Sequence, residues 1–180
     1  MMKIAVLATL DSKSEAAAYM CEVLQGLGVE PWLMDLSLMP HDKPGADIGG
    51  EALAKKAGAT WAGIGEMERA AAGETMIKGG TQALVEAYQA GEVSGAIGVG
   101  GANGCTVFCG MMRALPALFP KVMVTPVAAT AAVQWYVAES DIAMYPTISD
   151  IVMNRITKAV MENACYAVNG MAEAWEKRKS

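Results

Sequence analysis

Histidine occurs only once in the 180 residues, at His41, and phenylalanine only twice. The four cysteines, Cys21, Cys105, Cys109 and Cys165, have no CxxC spacing. Together these absences argue against a zinc site and against a disulfide scaffold, and a reducing cytoplasm is the expected location. Charge is sparse as well, at 18% of residues, and Lys+Arg at 14 fall short of Asp+Glu at 19, for a net charge of -5. A DNA or RNA binder would normally carry a basic patch or stripe, so nucleic acid is not an expected partner. Long apolar runs are missing too. The longest charge-free stretch, residues 93–112, holds six glycines and an asparagine, which suits a strand, a loop and a helix rather than a membrane span. The N-terminal apolar run stops at Asp11, too short for a signal peptide.

What is abundant is small and apolar. Hydrophobic residues make up 53% of the chain. Counting glycine as apolar and leaving out tyrosine raises this to roughly 61%, against about 45–50% in an average domain. The chain can therefore bury a large core, and part of its surface is expected to be covered by a partner. Its length suits one domain of about 100–200 residues.

Apolar runs and helical stretches alternate. Strands are predicted at 3–8, 31–36, 61–65, 93–99, 121–126 and 141–144. Helices are predicted at 13–27, 50–57, 68–90 (interrupted at Gly79-Gly80), 105–115 and 151–179, the last with a basic end that suits the helix dipole. Nearly all-apolar strands separated by helices imply a sheet covered on both faces. The expected fold class is α/β: a single doubly wound, Rossmann-like domain with a mainly parallel sheet of five to six strands.

In such sheets ligands bind beyond the carboxyl ends of the strands. Three loops fall there. Gly100-Gly101-Ala102-Asn103-Gly104-Cys105-Thr106 carries the strongest signal. Its three glycines and Asn103 tolerate positive φ, so successive N–H groups could turn inward as an anion cradle, with a helix N-terminus directly behind. The Thr106 hydroxyl could add a hydrogen bond. A Gly-rich turn needed only for packing is the plain alternative, since neither a P-loop nor a GxGxxG fingerprint is present. In the first loop, Thr9-Leu10-Asp11-Ser12-Lys13, Ser12 and Glu15 form a capping box that accounts for Ser12. Lys13 is placed to meet a phosphate, and Asp11 a ribose hydroxyl or a metal-bound water. The third loop spans residues 125–136.

Further acids are expected at this edge. Asp35 ends the second strand, where nucleotide folds carry a ribose-binding acid, although a solvated strand end explains it equally well. Glu66, Glu68 and Arg69 follow the third strand. Asp141 and Asp150 lie near the sixth, and Asp150 could cap the last helix. His41, in a Pro-flanked loop, reads as exposed. Cys105 stands at a helix N-terminus, where a thiol pKa can fall, but no base accompanies it.

Several stretches together resemble one family. They are the first loop, Gly98-Val99 running into the Gly-rich loop, Arg113-Ala114-Leu115-Pro116, and Pro120-Lys121-Val122-Met123-Val124-Thr125. Tyr136-Val137, Ser140-Asp141-Ile142-Ala143-Met144 and Asn169-Gly170-Met171 complete the set. The family is that of the ATP-binding domain of the tomato mosaic virus resistance protein and its largely uncharacterised bacterial relatives, and the resemblance covers nearly the whole chain. It implies a Rossmann-like nucleotide-binding domain that takes ATP, with Mg²⁺ as a possible companion. Thr9, Asp11, Ser12 and Lys13 would contact the nucleotide, and Gly100, Gly101, Asn103, Gly104, Cys105 and Thr106 would hold phosphates through backbone N–H groups. A second, barrel-like α/β domain usually follows, so the chain is expected to work with a separately encoded barrel-like subunit or as a homo-oligomer. Departures lie in the third loop, Ala128-Ala129-Thr130-Ala131, where the family carries Ala-Ser-Gly and a polar residue, in Ala138 where it has glycine, and in Glu68-Arg69-Ala70 for Asp-Arg-Gly. Between Asp150 and Asn154 the chain is also shorter and lacks the usual glycine.

Three readings follow. The leading one is a nucleotide- or phosphate-ligand-binding subunit of a larger assembly. The second is a small-metabolite enzyme, or half of a split enzyme, using an acid such as Asp11 or Glu66 as base. The third is a structural subunit whose site has decayed.

Overall fold

The computed structural model describes residues 1–43, 45–148 and 150–179. Five strands, β1 (Lys3–Ala8), β2 (Glu30–Asp35), β3 (Gly95–Val99), β4 (Lys121–Val124) and β5 (Ala143–Tyr145), form one sheet in the order β2-β1-β3-β4-β5. Every pairing is parallel, with Ala8 opposite Asp35 and Val99 opposite Val124 at the carboxyl edge. The helices are α1 (Leu10–Gly26), α2 (Gly50–Lys56), α3 (Trp61–Glu66), α4 (Arg69–Gln89), α5 (Ala102–Met112), α6 (Val133–Val137) and α7 (Arg155–Lys179), with a 3-10 turn at Pro126–Ala129.

Alternation along the strands feeds two cores, because successive side chains point to opposite faces. Ile4, Val6, Ile97, Val122 and Val124 meet α1 and α7 through Met20, Leu24, Met161 and Cys165. Ala5, Leu7, Ala96 and Met123 meet the opposite layer through Leu53, Met76, Leu84, Phe108 and Met111 of α2, α4 and α5. Both faces are thus covered, and the doubly wound α/β expectation holds.

Residues 61–65 depart from expectation. They form α3 rather than a strand, and the sheet has five strands. Thr60 starts the helix by accepting the Gly63 N–H at 3.0 Å on its hydroxyl, and Ile64 is the residue it buries. A short apolar run does not by itself separate helix from strand. The Gly79-Gly80 pair does not interrupt α4. A Cβ on Gly79 would collide with the Leu53 carbonyl of α2, so glycine there lets two helix backbones touch. The last helix begins at Arg155 rather than at 151, capped not by Asp150 but by Asn154, whose Oδ1 accepts the N–H groups of Ile156 and Thr157 at 2.9 and 3.0 Å. Among the described residues no helix is long and apolar enough to cross a membrane.

Candidate functional site at the carboxyl edge

β1 and β3 are neighbours, but the helices that follow them pack on opposite faces of the sheet, α1 with α7 and α5 with α4. The chain therefore diverges at the carboxyl ends of β1 and β3, the topological switch point at which open α/β sheets bind ligands in a crevice. The loop starting at Thr9 forms one wall and the loop starting at Gly100 the other.

The Gly100 wall is built by close packing rather than by left-handed backbone. Positive φ occurs at Gly28, Gly45, Gly58 and Gly91 among the described glycines, and not within Gly100–Gly104 as expected. A Cβ on Gly100 would lie 2.9 Å from the Gly104 Cα, and one on Gly104 would lie 3.2 Å from the Phe108 ring. Glycine here lets the first turn of α5 sit directly on the end of β3. Two expected donors are already engaged, since Gly100 N–H donates to the Val124 carbonyl at 3.2 Å and Cys105 N–H to Gly101 at 2.8 Å. The Thr106 hydroxyl donates back to the Ala102 carbonyl at 3.2 Å. The first four N–H groups of an α-helix have no partner within it, which here means Gly101, Ala102, Asn103 and Gly104. Gly101 leaves that approach open, because a Cβ there meets nothing within 4 Å.

On the facing wall, Thr9 precedes a helical turn that starts at Leu10, three residues earlier than expected, and α1 kinks at Lys13 (φ -128°, ψ 22°). The Ser12 hydroxyl lies 3.1 Å from that of Thr9, so Ser12 sits inside the helix instead of capping it. Asp11 and Ser12 are exposed, while Thr9 and Lys13 are half-buried. The turn is anchored from β2. Asp35 Oδ1 accepts the N–H of Leu10 (3.0 Å), the N–H of Ser37 (3.0 Å) and the Ser37 hydroxyl (2.6 Å), and Ser37 Oγ accepts the Asp11 N–H at 3.1 Å. Asp35 Oδ2 meets His41 Nε2 at 2.7 Å. His41 Nδ1 accepts the Lys43 N–H at 3.1 Å, which puts the proton of a neutral ring on Nε2. Burial pushes the Asp35 carboxyl up, but the donors from Leu10, Ser37 and His41 outweigh it and hold the carboxyl below its ordinary range. Asp35 is therefore buried and engaged, not a solvated strand end, and His41 is half-buried rather than exposed.

The other expected groups separate from this crevice. Asp141 lies before β5, at the amino edge, paired with Lys121. In the third loop the Thr125 hydroxyl accepts the Val127 N–H and the Thr130 hydroxyl donates to the Val127 carbonyl, so its polar groups bond within the loop. The Cys105 thiol is fully buried against Cys109 and Thr125. Hydrogen bonding from Cys109 lowers the Cys105 thiol below its ordinary value, while the Cys109 thiol is raised. No reactant could reach it there. Among the described residues no group of three or more His, Cys, Asp or Glu could hold a metal ion.

Sequence reasoning missed the neighbourhood beyond β2, where a cavity of about 220 Å³ is lined by Asp35, Met39, Pro40, His41, Gly50, Glu51 and Trp61. The Thr60 cap was the one readable signal that Trp61 opens a helix. A larger cavity of about 430 Å³, beside Arg113, Leu118 and Asp141, lies at the amino edge, away from the strand ends that bind ligands.

The model of the uncharacterised protein family UPF0261, N-terminal domain, matches residues 2–177. A UPF0261 protein of Clostridium tetani is 31% identical over 173 residues, covering 95% of this chain and 43% of that protein. The UPF0261 protein mlr3387 of Mesorhizobium japonicum is 32% identical over 177 residues, with 96% and 43% covered. The ToMV resistance protein Tm-1(GCR237) of Solanum lycopersicum is 35% identical over 80 residues, 44% of this chain and 10% of that protein. The chain spans less than half the length of the bacterial relatives it matches. With a family match along almost its whole length, the chain belongs to the UPF0261 family, in the region of that family's N-terminal domain.

Proposed function

We propose that the crevice between β1 and β3 binds the phosphates of a nucleotide, ATP in the first instance, and that the protein acts as the nucleotide-binding part of a larger assembly. The observation that carries this reading is the set of N–H groups from Gly101 to Gly104, unused within α5, at the switch point of the sheet and open at Gly101. The helix dipole adds a partial positive charge there. Lys13 supplies a cation from the facing wall, and the exposed Asp11 supplies a carboxylate. A Mg²⁺ ion would be held mainly by phosphate oxygens and water with Asp11, in keeping with the few protein ligands that Mg²⁺ takes at nucleotide sites. Calorimetric titration with ATP, with and without Mg²⁺, tests the proposal: saturable heat supports it, and none at millimolar ligand removes it.

A partner is part of the same reading. Ile148 and Val152 are exposed on the connection after β5, Ile156 on the first turn of α7, and Trp135 is 77% exposed in α6 on the β4–β5 connection. Large exposed apolar side chains that follow one another on the surface, as Ile148, Val152 and Ile156 do, favour an interface. A second copy of the chain, or a barrel-like subunit, would cover them.

A further inference from the structure

We infer that the cavity beyond β2 receives the aminopurine base of the bound nucleotide, held against Trp61 and read by Glu51. This inference rests on the phosphate reading above and adds where the base sits and which residues hold it.

The cavity adjoins the phosphate crevice through Asp35, whose Oδ1 holds the Leu10 N–H of the first wall. β2 lies two strands from β3, roughly 10 Å at about 4.8 Å per strand, a span that a ribose can bridge between phosphate and base. In doubly wound sheets the nucleoside follows the strand ends away from the switch point, so this is the direction it would take.

The lining is suited to a flat ring. Trp61 presses on the Gly50 backbone so closely that a Cβ on Gly50 would lie 2.5 Å from the indole, and only glycine permits that seat. Thr60 caps the helical turn that carries Trp61. Met39 and Pro40 supply further apolar surface. An aromatic face beside a thioether and a proline ring is a stacking wall, and base–aromatic stacking is worth about 1–3 kcal/mol per base.

The polar groups choose the chemistry. Asp35 and His41 are tied to each other, and the remaining His41 nitrogen is taken by Lys43. The exposed Glu51 carboxylate is left to meet a ligand. Among the described residues no lysine or arginine lines the cavity, so a phosphate or carboxylate is not accommodated there. A ring that donates N–H groups is, through the amino group of adenine or the amino and imino groups of guanine.

The test compares ATP and GTP with inorganic tripolyphosphate, each with Mg²⁺, on the wild-type chain and on Trp61→Ala, Trp61→Phe and Glu51→Ala. The nucleotides are expected to bind at least tenfold more tightly than tripolyphosphate. Trp61→Ala should close that gap and Trp61→Phe should keep most of it, while tripolyphosphate affinity stays unchanged in all three variants. Glu51→Ala, at an exposed position that does not threaten folding, should weaken the nucleotides several-fold. Saturable quenching of tryptophan fluorescence by ATP should disappear in Trp61→Phe. Equal affinity of the wild type for tripolyphosphate and nucleotide would overturn the base pocket and leave the phosphate site standing. So would nucleotide binding unaffected by both Trp61→Ala and Glu51→Ala. Failure of all three ligands to bind would remove the phosphate reading, and the base pocket with it.

Discussion

The ammonium of Lys121 lies 2.8 Å from Asp141 Oδ1 and donates to the Pro116 carbonyl at 2.7 Å, at a position where the lysine is 1% exposed. Asp141 also accepts the Leu118 N–H at 2.6 Å. The pair ties the loop before β4 to the loop before β5, at the edge opposite the crevice. Burial pushes the Asp141 carboxyl up, but the Lys121 ammonium and the Leu118 N–H outweigh it and hold it below its ordinary range. Removing one partner of a buried pair costs about 3–5 kcal/mol. Asp141 is 41% exposed on its side chain, so water can reach the orphaned ammonium, and Asp141→Ala is expected to cost about 2 kcal/mol. Lys121→Met, which removes the buried charge as well, should cost less. Urea denaturation of the two variants checks the order.

Asp35 is expected to matter more for stability than any other single acid at the carboxyl edge. Asp35→Ala would leave the Leu10 N–H and both Ser37 donors without their acceptor, a loss of about 3 kcal/mol. Asp35→Asn keeps an acceptor oxygen and should cost about 1 kcal/mol. The sign with pH follows from the lowered carboxyl. Its folded value lies below the ordinary 3.8, so its contribution is complete above about pH 4 and is lost as pH falls through the folded value. Denaturation midpoints at pH 3 and pH 6 should therefore lie closer together in Asp35→Asn than in the parent. Equal spacing would mean that other carboxylates carry the acid sensitivity.

Ala138 has φ 49° and ψ -125°, a conformation that favours glycine. The resemblance noted from sequence puts glycine at this position in related proteins, and the backbone gives that difference a physical cost. A residue held there is strained by about 1–3 kcal/mol. Ala138→Gly relieves the strain and gives back part of it as chain entropy. The net gain should be about 1 kcal/mol, or about 3 °C in melting temperature for a chain of this size. Unchanged melting would show that the strain is relaxed in solution.

Much of this molecule was legible because its strands are unusually apolar. β1, β3 and β4 read as buried runs, and the polar or Gly-rich stretches that end β1 and β3 are legible as loops. Adjacency itself is a property of strand order, which no local pattern encodes. Residues 61–65 misled because Trp61 and Ile64 suit a strand as well as a helix over so few positions. Asp35 ends β2 and His41 lies six residues on, in a loop with no periodicity, so their contact has no signature in the sequence. In the Gly-rich loop the expected positive-φ cradle is absent, while the expected helix N-terminus is present. Its glycines serve close approach of α5 to β3, and the free N–H groups come from the helix start.

That distinction gives a sharper test of the phosphate site. Gly101→Val adds a branched side chain in front of the α5 N-terminus, where a Cβ has open space, so the variant should fold, at a cost of about 1 kcal/mol for the poorer N-cap. Nucleotide and tripolyphosphate affinity should both fall at least tenfold, about 1.4 kcal/mol. Gly100→Ala does the opposite: it drives a methyl to 2.9 Å from the Gly104 Cα and should destabilise the fold. Thermal melting separates the two effects. A folded Gly101→Val variant with parental affinity would place the anion elsewhere.

Self-association is the remaining expectation. Ile148 is 75% exposed and takes a left-handed φ of 70°, which a β-branched side chain rarely adopts. Val152 and Ile156 follow it as exposed apolar residues on the same connection and the first turn of α7. A chain that is roughly 61% apolar by the wider count has core enough without them. Covering them against a second copy would bury apolar surface worth about 25 cal/mol per Å², and a C2 dimer is the commonest closed arrangement. At micromolar concentration the purified chain should therefore sediment as a dimer or a larger species. Ile148→Asp combined with Ile156→Asp should shift it toward the monomer without lowering the melting temperature of the protomer. A single species near 18.8 kDa for the parent across that range would mean that these side chains do not drive self-association.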